Sequence, residues 1–290
     1  MQAMTTPILT FNSRPSRPAL RLPAGACDAH VHVFGPAARF PFAASRNFTP
    51  VDAPKETLFG LHRQLGISRC VIVQSAVHGM DNSAVEDAIA AGGGHYLGVA
   101  LVPHDVADEE LKRLKAAGFR GVRFNFMKHL SQAASPQQVA DLTQRLAPLG
   151  LHLQVHFESS LIHELLPVLR TSAVPVVIDH MGRVDASLGA DHADFRALCA
   201  LMEDSRFYVK LSGADRISAP PYAQGVVLAR QLLQAFPERC FWGTDWPHPN
   251  HNHVPDDGKL VDLLIDIAPT PDLLERLLVK NPQRFYGFTA

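Results

Sequence analysis

The sequence predicts an α/β protein built as a single (β/α)8 barrel, and three observations lead to this fold class. Eight short, β-branched-rich apolar runs alternate with longer stretches of helical period along the 290 residues. Several of these runs are apolar nearly throughout, which is typical of parallel strands covered on both faces. No run leads into a glycine-rich phosphate loop, which argues against the competing fold, an open doubly wound sheet. Eight strands alternating with helices is the count of a closed barrel.

The strands are predicted from β-branched and aromatic runs bounded by turn residues. In chain order they span residues 27–33, 70–76, 96–102, 119–126, 151–158, 175–180, 207–213 and 240–246. Residues 1–25, rich in Pro, Arg and Ser, are predicted to be an irregular lead-in. No repeat, low-complexity tract or linker interrupts residues 26–290, so we expect one barrel domain there.

The helices between the strands have recognisable ends. In the segment 135–150, Ser135 can cap the helix, Pro136 suits the first helical position, Gln138 completes a capping box and Gly150 stops the helix. Similar signals predict helices over 109–118 and 270–282. These helices would cover the outside of the barrel.

The composition excludes some classes of function. The formal net charge is −1 and the pI is near 6.9, so no global positive field favours binding to nucleic acid. No segment approaches the ~18 apolar residues of a membrane span, and no signal peptide is recognisable, so we expect a cytoplasmic protein without membrane contact. The four cysteines form no CxxC pair and are predicted to be reduced thiols.

Histidine and aspartate gather where the predicted strands end. Catalytic groups of such a barrel project from the carboxyl ends of its strands. The i, i+2 spacing of His30 and His32 places both on one face of the first strand. His156 ends the fifth strand, His180 follows the sixth and Asp245 ends the eighth. A single histidine on a strand is usually structural, but the convergence of these residues favours a metal or catalytic site.

Positive charge is predicted at the same mouth, in a chain whose net charge is close to zero. Guanidinium groups in a pocket favour bidentate binding of carboxylate-like anions, so we expect a small acidic substrate. The basic residues at these strand ends are Arg123, Lys128, Arg183 and Arg216.

Several motifs, in order along the chain, resemble those of the amidohydrolase superfamily over nearly the whole length. They include 28-DAHVHVFGP-36, 176-VVIDHMGR-183, 242-WGTDWPHPN-250 and 255-PDDG-258. Within the superfamily, the sequence is similar to the 2-pyrone-4,6-dicarboxylate lactonases and the 4-sulfomuconolactone hydrolases. The resemblance implies an amidohydrolase-type TIM barrel that hydrolyses a small anionic lactone from the breakdown of aromatic compounds.

Two departures from the pyrone branch bear on the metal. That branch can work without a metal and carries Tyr where this chain has His156, and Arg where it has His129. Both departures favour a resemblance to the zinc-dependent 4-sulfomuconolactone hydrolases. The resemblance to mononuclear members implies one Zn²⁺ per chain, while another divalent metal or none stays open. The ligands it implies are His30, His32, His156 and Asp245.

The resemblance also suggests roles for the remaining residues. Zinc would lower the pKa of a water molecule toward ~7. Asp245 would orient that water and accept its proton, and His180, outside the ligand set, would polarise the carbonyl or move a proton to the leaving oxygen. The anionic groups of the substrate would be held by Arg123, Lys128, Arg183, Arg216 and His78.

Four alternatives stay open at this point. The first is hydrolysis of 2-pyrone-4,6-dicarboxylate, with or without a metal, and the second is a metal-dependent decarboxylase with much the same ligands. The third is an isomerase of sugar-diacid lactones, and the fourth is a non-catalytic binding protein. The sequence determines neither the natural lactone nor the oligomeric state, and it gives no role to His129.

Overall fold

Eight parallel strands form the frame of the molecule. The computed structural model describes residues 7–127 and 134–288. Each predicted strand is confirmed, in the predicted order. The strands are β1 (Cys27–Val31), β2 (Arg69–Val73), β3 (Tyr96–Leu101), β4 (Phe119–Phe126), β5 (His152–Phe157), β6 (Val176–Ile178), β7 (Phe207–Lys210) and β8 (Cys240–Phe241).

The sheet runs in the order β1 to β8, and every neighbouring pair is parallel. Backbone hydrogen bonds join the chain after β8 to β1. The amide of Ala29 donates to the carbonyl of Trp242 at 2.8 Å, and the amide of Asp245 donates to that of His30 at 2.8 Å. The last strand therefore meets the first, and the predicted (β/α)8 barrel is confirmed.

Some strands are shorter than predicted because the chain turns at their carboxyl ends. The strand β8 stops at Phe241, and Asp245 then adopts a left-handed backbone conformation with φ of 64°. After β6, His180 also has a positive φ, of 48°. Apolar runs predict the strand interiors well, but these turns bend functional residues away from the strand direction.

Helices surround the barrel and follow the strands in the expected alternation. They are α1 (Lys55–Leu65), α2 (Ser83–Ala91), α3 (Asp108–Ala116), α4 (Pro136–Leu146), α5 (Ile162–Leu169), α6 (Ala193–Met202), α7 (Ala214–Ile217), α8 (Ala223–Ala235), α9 (Asp257–Asp262), α10 (Leu264–Ile267), α11 (Pro271–Glu275) and α12 (Asn281–Tyr286). Among the described residues, none of these helices combines the length and apolar character needed to cross a membrane.

The predicted capping box of α4 is confirmed. The Ser135 hydroxyl accepts from the amide of Gln138 at 3.3 Å, and the Gln138 side chain accepts from the amide of Ser135 at 2.8 Å. The helix predicted over 270–282 is instead a run of helical pieces, because a π-helical turn at Arg276–Lys280 joins α11 to α12.

The apolar core has two parts. The larger part lies between the sheet and the helices and includes Leu58, Leu111 and Leu232. The smaller part, built from alternate strand residues such as Cys27 and Leu97, fills the barrel interior at the amino-terminal ends of the strands. Toward the carboxyl ends, polar side chains replace these apolar residues, and this is where the candidate site lies.

The part of the lead-in that the structure describes contains neither helix nor regular strand. The Ser16 hydroxyl donates to Asp256 at 2.8 Å, and the ring of Phe11 lies 5.2 Å from that of Trp246. The segment is thereby held across the side of the barrel that carries α9.

Candidate active site

One carboxylate oxygen lies at the centre of three imidazoles. Asp245 Oδ1 is 3.6 Å from His30 Nε2, 3.4 Å from His32 Nε2 and 3.7 Å from His180 Nε2. All four side chains are buried. Residues of β1, of the turn after β6 and of the turn after β8 therefore meet at Asp245 Oδ1.

The local backbone explains how these side chains converge. His180, Arg183 and Asp245 all have positive φ, a conformation that costs a non-glycine residue about 1–3 kcal/mol and is often found at functional sites. Gly213, with φ of 82°, makes room for this turn, because a Cβ at that position would lie 3.0 Å from the Cβ of His180.

Two of the three imidazoles, those of His32 and His180, are oriented by their second ring nitrogen. His32 Nδ1 lies 2.7 Å from the carbonyl oxygen of Val73, so it donates and leaves Nε2 with a lone pair. His180 Nδ1 is 3.0 Å from the Ser212 hydroxyl. Outer partners of this kind commonly fix the ring orientation of metal-binding histidines.

The predicted metal ligands are not all equally close. The ligand atoms of His30, His180 and Asp245 lie within 4.8 Å of one another, so His180 joins the cluster although the sequence suggested a role outside it. His32 adjoins the cluster through Asp245. The ring of His156 is 5.4 Å from that of His180, and its Nδ1 is 3.2 Å from Asn125 Oδ1.

Several buried polar atoms around the cluster have no hydrogen-bond partner within the described ranges. They are Nε2 of His30, Nε2 of His156 and Oδ1 of Asp245. Buried polar atoms without partners are uncommon, and a set of imidazole and carboxylate atoms at this spacing is what a divalent metal binds. The residues present therefore fit a metal ion.

Electrostatics keep the cluster in the protonation state that binds metal. Burial, followed by the charge of Lys210, lowers the pKa of His30 to about 4. Burial also lowers the pKa values of His156 and His180. Burial opposes ionisation of Asp245, but Arg216 and His180 nevertheless hold the pKa of Asp245 well below its usual range. Neutral imidazoles and an ionised carboxylate are the ligand forms of these groups.

The predicted cationic residues take different positions. Arg183 lines a cavity of about 70 Å³ in front of the cluster, with no ion-pair partner among the described residues, and burial beside Arg216 lowers its pKa. Arg123 lines the same cavity, but its Nε donates to Asp179 at 2.8 Å. Arg216 donates to Asp245 and, at 3.0 Å, to the carbonyl of Pro249.

Two predicted substrate contacts have other outcomes. His78 is buried, and its Nε2 accepts from the amide of Gly35 at 3.1 Å while its Nδ1 lies 3.1 Å from the carbonyl of Pro41. Both ring nitrogens are therefore engaged with the backbone, and neither is free for a substrate. Lys128 lies outside the described residues, as does His129.

Sequence reasoning missed the polar residues beneath the cluster. Lys210, on β7, and Gln154, on β5, are fully buried and contact each other at 2.8 Å. Gln154 could have been found, because it precedes His156 by two residues on the same strand face. Lys210 gave no signal, since a single lysine in an apolar run is normally predicted to be at the surface.

Comparison with known proteins identifies the family. A family profile described as amidohydrolase matches residues 27–288, which is most of the chain. The chain belongs to the amidohydrolase family. It is 43% identical over 290 residues to the 2-pyrone-4,6-dicarboxylate hydrolase of Comamonas testosteroni, covering 96% of this chain and 95% of that protein.

Two further relatives are similar over nearly their whole length. The 4-sulfomuconolactone hydrolase of Hydrogenophaga intermedia is 40% identical over 275 residues, covering 93% of this chain and 91% of that protein. Among solved structures, a probable 2-pyrone-4,6-dicarboxylic acid hydrolase of Acinetobacter baumannii with citric acid bound has a TM-score of 0.81 at 26% identity, covering 91% of this chain and 100% of that one. The resemblance predicted from the motifs is confirmed.

Proposed function

We propose that this amidohydrolase is a lactonase that opens the ring of a small anionic lactone formed in the breakdown of aromatic compounds. The observation that carries the proposal is Asp245 Oδ1 within 3.4–3.7 Å of three imidazole Nε2 atoms. Beside them lies the guanidinium of Arg183, which has no ion-pair partner in the part of the chain that the structure describes. The named relatives, two hydrolases of such anionic compounds, support the reaction class.

The proposed cofactor is one Zn²⁺ per chain. His30, His180 and Asp245 would form the centre of its site, and His32 and the unpartnered Nε2 of His156 would supply the remaining predicted contacts. When bound, zinc supplies Lewis-acid chemistry, polarising an oxygen and making water more acidic.

The chain's own residues would position the reactants and move the protons. Arg183 and the guanidinium nitrogens of Arg123 other than Nε would bind a carboxylate or sulfonate of the lactone, so that its carbonyl faces the cluster. Asp245 Oδ1 would accept a proton from the attacking water. The Asp245 carboxyl would then pass that proton to the leaving ring oxygen, because Nε2 of His180, 3.7 Å from Asp245 Oδ1, would be bound to the metal.

A screen of lactones with products identified by mass spectrometry tests the reaction. The expected product has gained one water molecule. Loss of CO2 would indicate the decarboxylase, and an unchanged mass would indicate the isomerase. The proposed function would be contradicted if the protein hydrolysed no anionic lactone in the screen, which should include 2-pyrone-4,6-dicarboxylate and 4-sulfomuconolactone.

A separate experiment tests the metal. The protein is stripped with a chelator, its metal content is checked by elemental analysis, and zinc is then added back. We expect hydrolysis to be lost and restored. Full activity in protein shown to be metal-free would reject zinc and favour metal-free hydrolysis on the same residues.

A further inference from the structure

Lys210 is a buried cation that the proposed reaction does not use. Its side chain is fully buried, and its Nζ lies 2.8 Å from Gln154 Oε1, 3.2 Å from His30 Nδ1 and 3.6 Å from Asp179 Oδ1. Burying an ammonium group is costly unless it is paired and hydrogen-bonded. Lys210 therefore belongs to a set of hydrogen-bonded, buried polar side chains beneath the candidate metal cluster. We call this set the polar ring; it consists of Lys210, Gln154, Asp179 and Arg123.

Arg123 and Gln154 hydrogen-bond to only one of the two carboxylate oxygens of Asp179. Asp179 Oδ2 accepts from Arg123 Nε at 2.8 Å and from Gln154 Nε2 at 3.1 Å. Asp179 Oδ1 has no hydrogen bond within the described part of the chain, but it lies 3.2 Å from His30 Nδ1. His30 Nδ1 thus has two neighbours of opposite character, a carboxylate oxygen and an ammonium, each at 3.2 Å.

A neutral imidazole carries one proton, so these two contacts exclude each other. If the proton is on Nδ1, His30 donates to Asp179 Oδ1 and its Nε2 has a lone pair for a metal. If Lys210 donates to Nδ1, the ring proton is on Nε2, which then cannot bind a metal and faces Asp245 Oδ1 at 3.6 Å. The exchange moves one proton between the two nitrogens of the His30 imidazole and leaves the charge of that imidazole unchanged.

We propose that Lys210 is a positioning residue that limits metal affinity by competing with Asp179 for Nδ1 of His30. The proposal rests on the proposed metal site. The charge of Lys210 acts in the same direction, because a second cation beneath the cluster repels a metal ion. Asp179 has the opposite effect, since it stabilises the tautomer that binds metal and attracts the cation. Lys210 and Asp179 together would thereby set the zinc affinity of this lactonase.

Two substitutions with opposite expected signs test the proposal. Zinc affinity is measured on metal-free protein by competition with a chromophoric chelator, without substrate. Outer-shell changes typically alter metal affinity about 10–100-fold. We expect Lys210→Met to raise the affinity about tenfold and Asp179→Asn to lower it about tenfold. A purely structural role would lower the affinity in both variants. Lys115→Met, on α3 and outside the ring, is the matched control and should leave it unchanged.

The tautomer of His30 gives a second measurement that needs no metal. In 15N-resolved NMR spectra of the metal-free protein, we expect a measurable population with the His30 proton on Nε2, and Lys210→Met should shift it to Nδ1. If Lys210→Met does not fold, Asp179→Asn tests the same competition from the other side, because loss of the carboxylate acceptor should shift the His30 proton toward Nε2.

Two results would overturn the proposal: zinc affinity that falls or stays constant in folded Lys210→Met, or a His30 tautomer that is the same with and without Lys210. Absence of zinc binding in the wild type would count against the proposed cofactor instead. The NMR comparison would still decide whether Lys210 controls the tautomer, so the two failures can be told apart.

Discussion

At the residue scale, the candidate site depends on groups whose charges are fixed by their neighbours. Asp245 is buried, and Arg216 donates to its second carboxylate oxygen. This ion pair keeps Asp245 ionised. Arg216 also donates to the carbonyl of Pro249, so its contacts are with the protein itself. Arg183, which lines the cavity in front of the cluster, has no ion-pair partner among the described residues. Of the four predicted cations, Arg216 therefore shapes the site, and Arg183 is the one that we expect to bind substrate.

Arg183→Met should therefore weaken substrate binding more than chemistry. Loss of a bidentate contact to an anionic group is expected to raise KM about 10–100-fold with a smaller change in kcat. Steady-state kinetics with an anionic lactone provides the measurement, and Arg196→Met, an exposed arginine on α6, serves as the control. An unchanged KM would remove Arg183 from the substrate contacts.

His156→Tyr is the second prediction at this scale. The Nε2 of His156 is buried without a partner among the described residues, and a phenol cannot replace its lone pair in the same place. We expect zinc affinity to fall by orders of magnitude, because a direct ligand is lost, whereas loss of an outer-shell partner costs about 10–100-fold. His95→Tyr, at an exposed position, should have no effect on metal binding. Unchanged zinc stoichiometry and affinity in His156→Tyr would show that His156 is not a ligand.

At the scale of single elements, helix ends follow local rules and the turns of the site do not. The α4 capping box forms as its sequence predicts, because both hydrogen bonds are made within four residues. The turn at His180–Arg183 includes positive φ values at four consecutive residues. No local preference favours that conformation in non-glycine residues, so the surrounding barrel must stabilise it.

Ser135→Ala should test the local rule. Removing an N-cap side chain costs about 1 kcal/mol, since an amide of the first turn loses its acceptor. The free energy of unfolding, measured by denaturant titration, should fall by that amount. Gln144→Ala, at an exposed position later in the same helix, should change it far less. Equal losses in the two variants would contradict a specific contribution from the cap.

At the scale of the whole molecule, the barrel interior changes in character along its axis. Apolar residues fill one end, and a polar ring with Lys210 and Asp179 lies beneath the candidate cluster. His152, on β5, is buried near the apolar end, with its ring 5.0 Å from that of Phe285. Burial, followed by the charge of Lys210, lowers the pKa of His152 from 6.5 to about 3.

This shift predicts how stability depends on pH. The unfolded chain takes up a proton at His152 near pH 6.5, whereas the folded chain does so only near pH 3. The contribution of His152 to stability is therefore full above that window and is lost as the pH falls through it. At about 1.4 kcal/mol per pKa unit, the loss amounts to a few kcal/mol.

His152→Gln should flatten this part of the acid dependence. The free energy of unfolding, measured from pH 7 to pH 4, should fall less steeply in the variant than in the wild type. The slope is the readout, because the substitution also changes packing at every pH. His95→Gln, an exposed histidine, should keep the wild-type slope. A wild-type slope in His152→Gln would mean that His152 is not the group responsible.

The sequence by itself determined the alternation of strands and helices, the cap of α4 and the motifs that place the chain in its family. These features depend on short-range periodicity and on residue types at fixed spacing. It also placed His30, His32, His156, His180 and Asp245 near the carboxyl ends of strands. Because those ends meet at one face of a barrel, the five residues were expected to lie close together.

Only the tertiary structure decided how those residues meet. It placed His180 in the cluster with His30 and Asp245, engaged both nitrogens of His78 with the backbone, and brought Lys210 to within 3.2 Å of His30 across 180 residues of chain. Such contacts depend on turn geometry and on distances between strands far apart in sequence. Local patterns do not encode these distances, because they arise only when the barrel closes and all eight strands share one interior.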